Sequence, residues 1–316
     1  MTPRRPDGLL LVATLIWGVS FVVIKQTLAY ATPLAFVALR FAAATVLVAP
    51  LARLSHPFTR AELAGGAVLA LQTGIGFLTQ AVGLVTTTPS RSAFIVALSS
   101  VLAPVMAAAA LRERPRWPLV AALIVATTGL YYLAAPEAGG VNRGDLWTLV
   151  TAVVFGGQIV TVAVLSRRFD AWRLVWMQIA GTALLAGIGT PLLEQPRVQW
   201  TSGFVLGLAY ATVFPTIVAL ALQLQAQRHM SSARAALILC LESLCAAATS
   251  WLIIGERLSA VQWMGGGLIL AGMVLAEMPM SGQPSAVSRQ PSADTLRLNS
   301  MHRMTIFPPH KLTADG

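Results

Sequence analysis

The stretch SSARAALILCLESLCAAATSWLIIGER, from Ser231 to Arg257, decides the architecture. It is a polar entry, about twenty mostly apolar residues and a Gly-Glu-Arg exit, the length that spans a bilayer as a helix. An earlier copy, SRSAFIVALSSVLAPVMAAAALRER from Ser90 to Arg114, lies over Ala233 to Arg257 at an offset of 143. Arg91 coincides with Arg234, Ala93 with Ala236, Ile95 with Ile238 and Leu98 with Leu241. Ser100 coincides with Ser243, Ala103 with Ala246, and Glu113-Arg114 with Glu256-Arg257. The register persists into the next apolar run, where Gly129 meets Gly272. A period of about 140 residues is too long for a solenoid unit, whose repeats run from about 20 to 50. The chain is two halves built alike.

Composition names the solvent. Of 316 residues, 56% are hydrophobic and 11% charged, and the mean hydropathy is +0.72. A soluble domain carries about 25% charged residues, so most of this chain faces lipid. The net charge of +10 would suit nucleic acid if its basic residues clustered among aromatics on a soluble face. They fall between apolar runs instead, where they report orientation, so no nucleic-acid partner is expected. Cys240 and Cys245, five apart in one apolar run, point to different helix faces and read as buried apolar residues, not a disulfide.

Ten windows can span: 9–29, 34–51, 62–84, 92–111, 117–134, 146–165, 174–193, 202–224, 235–254 and 261–277. Helix is expected over strand because backbone in lipid must satisfy itself, and barrel segments are short and alternating. With the N-terminus cytoplasmic, sixteen of the Lys and Arg residues fall inside. Four fall outside (Arg91, Arg143, Arg197, Arg257), while Lys25 and Arg40 lie within spans. That bias supports both the orientation and the span count, because one span more or fewer reverses everything downstream. Five spans per half is odd, so the second half enters from the opposite side. The expected fold is an all-α polytopic membrane protein, ten transmembrane helices in two inverted-topology five-helix repeats, and such folds place the substrate near the midplane. Residues 1–8 form a cytoplasmic N-terminus, 9–134 the first repeat, 135–145 an external linker and 146–277 the second repeat. Residues 278–316, rich in Ser, Pro and Gln toward the end, read as a disordered cytoplasmic tail. The run after Arg4 and Arg5 exceeds a signal h-region of about 7–15 residues and reads as a retained first span.

Several segments carry a resemblance. They are Trp17 to Lys25 (WGVSFVVIK), Ala38 to Phe41 (ALRF), Thr86 to Ile95 (TTTPSRSAFI), Pro104, and Arg112 to Arg114. In the second half they are Ala226 to Arg228, Ala235 to Ser243 (AALILCLES), Gly255 to Arg257, and Gly265 to Gly272 (GGGLILAG). In this order the chain resembles the drug/metabolite transporter superfamily, in particular its EamA-like ten-helix members, over about residues 8–277. One departure is Ser243, where many relatives carry proline. The resemblance implies secondary transport of a small organic solute (amino acid, metabolite or drug-like compound), often efflux, by alternating access in the cytoplasmic (inner) membrane. Monomer and dimer are both compatible with it.

An ionisable group at mid-membrane costs at least about 2.5 kcal/mol, so each one is a functional candidate. Glu242 is the sole acid deep in a span, roughly 10 Å from the N-terminal face at 1.5 Å per residue. It reads as a proton-coupling or substrate-amine site, against the alternative of a structural acid hydrogen-bonded to its neighbours. Arg40 and Lys25 lie about 9 and 6 Å below the external face, so a direct bridge to Glu242 is not favoured. Lys25 reads as snorkelling outward; Arg40 could hold an anionic group or neighbouring carbonyls. Polar groups such as Gln72, Gln80, Gln178 and Gln223 commonly glue helices. Gln158 aligns with Ser20 at an offset of 138, beside Phe155-Gly156 over Trp17-Gly18, which marks Gln158 and Ser20 as cavity candidates. Trp17 and Tyr210 are candidate cavity aromatics. Gly156-Gly157, Gly181, Gly187, Gly265 to Gly267 and Gly272 read as close-approach positions, and Pro104 and Pro215 as candidate hinges.

No cofactor or metal is expected. The histidines (His56, His229, His302, His310) lie outside the spans with no acid or cysteine at metal-ligand spacing. Neither GxGxxG nor GxxxxGK[ST] occurs. The expected partners are therefore a small-molecule substrate, the bilayer and a coupling proton. Two alternatives stand beside transport: an intramembrane enzyme, which would need a catalytic cluster inside the spans, and a membrane receptor or assembly subunit without flux.

Overall fold

Apolar runs of bilayer length leave their backbone no partner in lipid but itself, and helices result. The computed structural model describes residues 5–52, 57–110, 117–133, 140–230, 232–239 and 241–277. The helices are α1 (Arg5–Thr27), α2 (Pro33–Val48), α3 (Arg60–Thr86), α4 (Pro89–Ala110), α5 (Trp117–Leu133), α6 (Arg143–Leu165) and α7 (Ala171–Leu193). Then come α8 (Ser202–Ala211), a π-helical turn (Thr212–Val218), α9 (Ala219–Gln227), α10 (Ser232–Leu239), α11 (Leu241–Ile254) and α12 (Ala260–Glu277). Among the described residues, seven helical segments are long and apolar enough to cross a membrane. Three shorter apolar helices, Pro33–Val48, Val120–Leu133 and Ala260–Leu275, bring the total to ten. α8, the π turn and α9 make one span, and α10 with α11 fall within another. The protein is an all-α polytopic membrane protein. The described helices belong to one compact unit, residues 1–278; the second unit, the expected tail, lies outside the described residues. So do Cys240, the Arg112–Arg114 segment and residues 135–139 of the expected linker.

Helix starts are written into local polar residues. Thr59 and Glu62 form a capping box at α3, and Asn142 and Asp145 form another at α6. Asp170 caps α7, and Thr201 caps α8.

Packing repeats with the sequence. α4 packs on α6 as α10 and α11 pack on α1, and α3 packs on α6 as α9 packs on α1. Equivalent helices meet across the same axis: α2 with α7, α5 with α12, and α4 with α10 and α11. Ties between helix ends join same-side ends throughout. Opposite the N-terminus, Ala35 N donates to Glu194 Oε1 at 2.8 Å, and Gln199 N to Tyr30 O at 2.8 Å. On the N-terminal side, Arg173 pairs with Glu62 at 3.0 Å, its guanidinium 4.0 Å from the Phe58 ring centroid, and Arg167 donates to Met230 O at 2.9 Å. The alternation of ends is what ten spans require. With five spans in each half, the repeats are inverted.

Lys25 departs from the snorkelling expectation. Its Nζ donates to the carbonyls of Leu84 at 2.6 Å, Val85 at 3.0 Å and Thr87 at 3.2 Å. The C-terminus of α3 carries a partial negative charge and unpaired carbonyls, which hold the ammonium more closely than the interface would. Lys25→Met is expected to lower stability by about 2 kcal/mol, the scale of charged hydrogen bonds. A thermal melt in detergent measures it.

The glycines divide into two kinds. A Cβ on Gly129 would lie 2.6 Å from Gly265 O, and one on Gly265 would lie 2.6 Å from Gly129 O, so α5 and α12 meet backbone to backbone. Gly187 and Gly267 have nothing within 4 Å. For these two the close-approach expectation is corrected: both are exposed on the outside of the bundle.

Candidate functional site: a cavity on the repeat axis

A cavity sits where the two halves meet, between helices, where small-molecule sites in helical bundles are found. α1 contributes Trp17, Ser20 and Phe21; α3 contributes Phe77 and Gln80; α6 contributes Phe155, Gln158 and Ile159. From α4 come Ala93, Val96, Ala97, Ser99 and Ser100, from α9 Leu220 and Gln223, and from α10 and α11 Leu239 and Glu242.

The wall is built in duplicate. At an offset of 138, Trp17 pairs with Phe155, Ser20 with Gln158 and Phe21 with Ile159. At 143, Phe77 pairs with Leu220, Gln80 with Gln223, Val96 with Leu239 and Ser99 with Glu242. Seven such pairs account for most of the lining, so the cavity lies on the pseudo-twofold axis. The sequence reading singled out Ser20, Gln158, Trp17 and Glu242, and the fold brings these four together. Gln80 and Gln223, which read as helix glue in the sequence, also line the cavity, as do Phe21 and Phe77, which carry no sequence signal, and Ser99, whose counterpart at the 143 offset is Glu242. The 143 offset, already visible at Arg91 and Arg234, would have found the Gln80–Gln223 pair.

Helix crossings bring these pairs into register. A Cβ on Gly18 would stand 2.9 Å from Glu242 O, and one on Gly156 would stand 3.1 Å from Ser99 O. These are the same crossing in the two halves, since Gly18 corresponds to Gly156 and Glu242 to Ser99. Absence of a side chain at each lets backbone approach backbone, and the neighbouring lining residues converge.

Among the described lining residues, Glu242 is the one ionisable group. Its carboxylate accepts no hydrogen bond from the described residues. Gln158, by contrast, is anchored. Its Nε2 donates to Thr73 Oγ1 at 2.9 Å, and that hydroxyl donates to Gln178 Oε1 at 3.1 Å, tying α6, α3 and α7 together. Ser20 Oγ donates within its helix to Trp17 O at 2.7 Å.

Comparison with known proteins follows the duplication. The model of the EamA-like transporter family matches twice, over residues 5–135 and 142–278.

The chain belongs to the EamA-like transporter family.

It is a membrane transporter rather than an enzyme. A protein of Archaeoglobus fulgidus described as an "uncharacterized transporter" is 29% identical over 272 residues, covering 86% of this chain and 85% of its own. A second of the same description and organism is 27% identical over 166 residues, 52% of this chain and 58% of its own. One solved crystal structure superposes with a TM-score of 0.63 at 19% identity, covering 86% of this chain and 96% of the other. That likeness concerns the fold alone.

Two candidate residues of this EamA-like protein stand outside the cavity wall. Tyr210 stacks on Phe214 at 5.2 Å between centroids. Arg40 is 1% exposed, its guanidinium 4.8 Å from the Phe77 ring centroid and 5.2 Å from that of Phe41. Phe77 is a lining residue, so Arg40 lies one layer behind the wall. Its Nε donates to Thr216 Oγ1 at 2.6 Å, and its Nη2 has no hydrogen-bond partner among the described residues.

Thr216 belongs to the π turn that holds Pro215. Proline has no N–H for the carbonyl four residues back, that of Ala211. The Thr216 hydroxyl supplies a donor there at 2.8 Å, and the Trp17 indole N–H donates to Pro215 O at 2.9 Å. The turn is thus held by Arg40 on one side and a cavity aromatic on the other. Trp17→Phe keeps the wall but drops this bond. The expected loss is about 1 kcal/mol, read as a lower melting temperature with unchanged helix content by circular dichroism. Pro104 lies inside α4, which stays α-helical through it; it leaves the carbonyl of Ser100, a lining residue, without its helical donor.

Proposed function

We propose that the chain is a secondary transporter of the cytoplasmic (inner) membrane, both termini cytoplasmic, that exports a small organic solute by alternating access. The observation that carries this is a cavity on the repeat axis with apolar and aromatic walls, amides and hydroxyls in matched pairs, and one carboxyl, Glu242, aimed into it. Aromatic walls hold the apolar body of a solute, and a few convergent polar groups fix its orientation. A carboxyl with no hydrogen-bond partner among the described residues is available to a proton or a substrate amine in turn, which is what coupling requires. Trp17, Ser20 and Gln158 are the substrate contacts in this reading. Arg40 and Tyr210 support the wall and the π turn from behind, and Pro215 and Pro104 are the hinges.

The test is a solute screen in inverted vesicles with and without an imposed proton gradient. Gradient-dependent uptake of an amino acid, metabolite or drug-like solute supports the reading. Uptake in right-side-out vesicles alone would overturn export, and no solute moved by verified, folded protein would overturn the substrate class.

A further inference from the structure

Two ion pairs occupy equivalent places on opposite faces. Arg91, the third residue of α4, pairs with Asp145 in the first turn of α6 at 2.6 Å. Arg234, the third residue of α10, pairs with Asp7 in the first turn of α1. Arg91 maps to Arg234 at the 143 offset and Asp7 to Asp145 at 138, the two offsets that relate the cavity walls. Each pair therefore closes the same seam, between the first helix of one repeat and the fourth of the other.

Their surroundings differ sharply. The Arg91 and Asp145 side chains are each 5% exposed, whereas Arg234 and Asp7 are 56% and 31% exposed. Around the buried pair, Thr87 Oγ1 donates to Asp145 at 2.7 Å and Arg91 Nη2 to Gly140 O at 2.6 Å. Ser90 beside it donates to Glu256 Oε2 at 2.9 Å, joining the end of α11 to the same seal. A symmetric scaffold with one seam packed and its equivalent wet is one of two interchangeable arrangements.

We propose that Arg91–Asp145 and Arg234–Asp7 are gating residues of one device. Packing of either pair into its seam accompanies opening of the other, and the structure is the state sealed on the Arg91 face. The proposal rests on the alternating-access reading above, yet its test needs no substrate. A membrane-impermeant maleimide reports access to Ser99→Cys in the cavity from either face of oriented proteoliposomes, in a Cys240→Ala/Cys245→Ala background.

Removing one partner of a buried pair is strongly destabilising to the state that buries it. Arg91→Gln is thus expected to raise labelling from the Arg91 face by on the order of tenfold and lower it from the other. Arg91→Lys, which keeps the charge, should stay near the parent. Arg234→Gln should act in the opposite sense, because it weakens only the state in which that pair is packed. Its exposed position keeps it informative even if Arg91→Gln fails to fold. Unchanged labelling in folded Arg91→Gln and Arg234→Gln overturns the proposal, as does a rise from both faces at once, which marks a static seal. Reciprocal labelling without flux of any solute would sink the substrate class above and leave the gate standing.

Discussion

Glu242→Gln is expected to abolish proton-driven transport while leaving the protein folded and the cavity intact. Glutamine matches glutamate in volume and keeps a carbonyl acceptor, so the wall formed with Trp17, Ser20 and Gln158 retains its shape. It lacks a group that can bind and release a proton, and it presents no charge to an amine. A charge-assisted hydrogen bond contributes about 1.5–3 kcal/mol, which corresponds to roughly a 10- to 150-fold loss of affinity for a cationic solute. Flux should become indifferent to an imposed pH gradient, and counterflow exchange of the same solute measures what binding remains. Transport by Glu242→Gln that keeps its pH dependence would remove Glu242 from the coupling step. Ser99 is the complementary probe, because the duplicated cavity has a hydroxyl where the second half has the acid. Moving the carboxyl to the other wall, as Ser99→Glu/Glu242→Ser, asks whether position on the axis or identity of the repeat matters.

The second large effect belongs to Gly18. A Cβ there would meet Cys245 Cβ at 2.5 Å, Cys245 Sγ at 2.8 Å and Glu242 O at 2.9 Å. Two of those neighbours are a short side chain and the third is backbone, so α1 and α11 must separate to admit anything larger than hydrogen. Overpacking of this kind costs about 1–3 kcal/mol and sometimes more. Gly18→Leu is expected to exceed that range, giving aggregated protein on size-exclusion chromatography or a strongly lowered melting temperature. Gly156→Ala, whose nearest contacts are 3.0 Å and 3.1 Å, should be milder. Gly267→Leu, with open space around it, should melt like the parent. If Gly18→Leu and Gly267→Leu behave alike, the backbone crossing is not what aligns the cavity wall.

Much of this was readable along the chain because it is one-dimensional. Apolar run length against bilayer thickness set the spans, and the parity of five spans per half set the inversion. The repeat offsets reached even the cavity, pairing Ser20 with Gln158 and exposing Glu242 as the place where symmetry breaks. What escaped was whatever depends on which side chain finds which carbonyl. Lys25 sits near a helix end in sequence, and interface and helix terminus look alike until the end of α3 is placed beside it. Arg40 was placed by depth and Tyr210 by residue type, and neither says which face of a helix meets the axis. Gly187 and Gly18 are the same letter; one faces open space and the other a backbone carbonyl.

By itself, then, the sequence determined an α-helical, duplicated, membrane-embedded transporter with one acid deep in its spans. Hydropathy and parity are sums over residues and survive without coordinates. Only the tertiary structure decided that the acid lines a cavity with no hydrogen-bond partner among the described residues, that Phe77 stands between Arg40 and that cavity, and that one of two equivalent ion pairs is buried while the other is exposed. Those depend on helix rotation and on which side chains meet once the helices have packed.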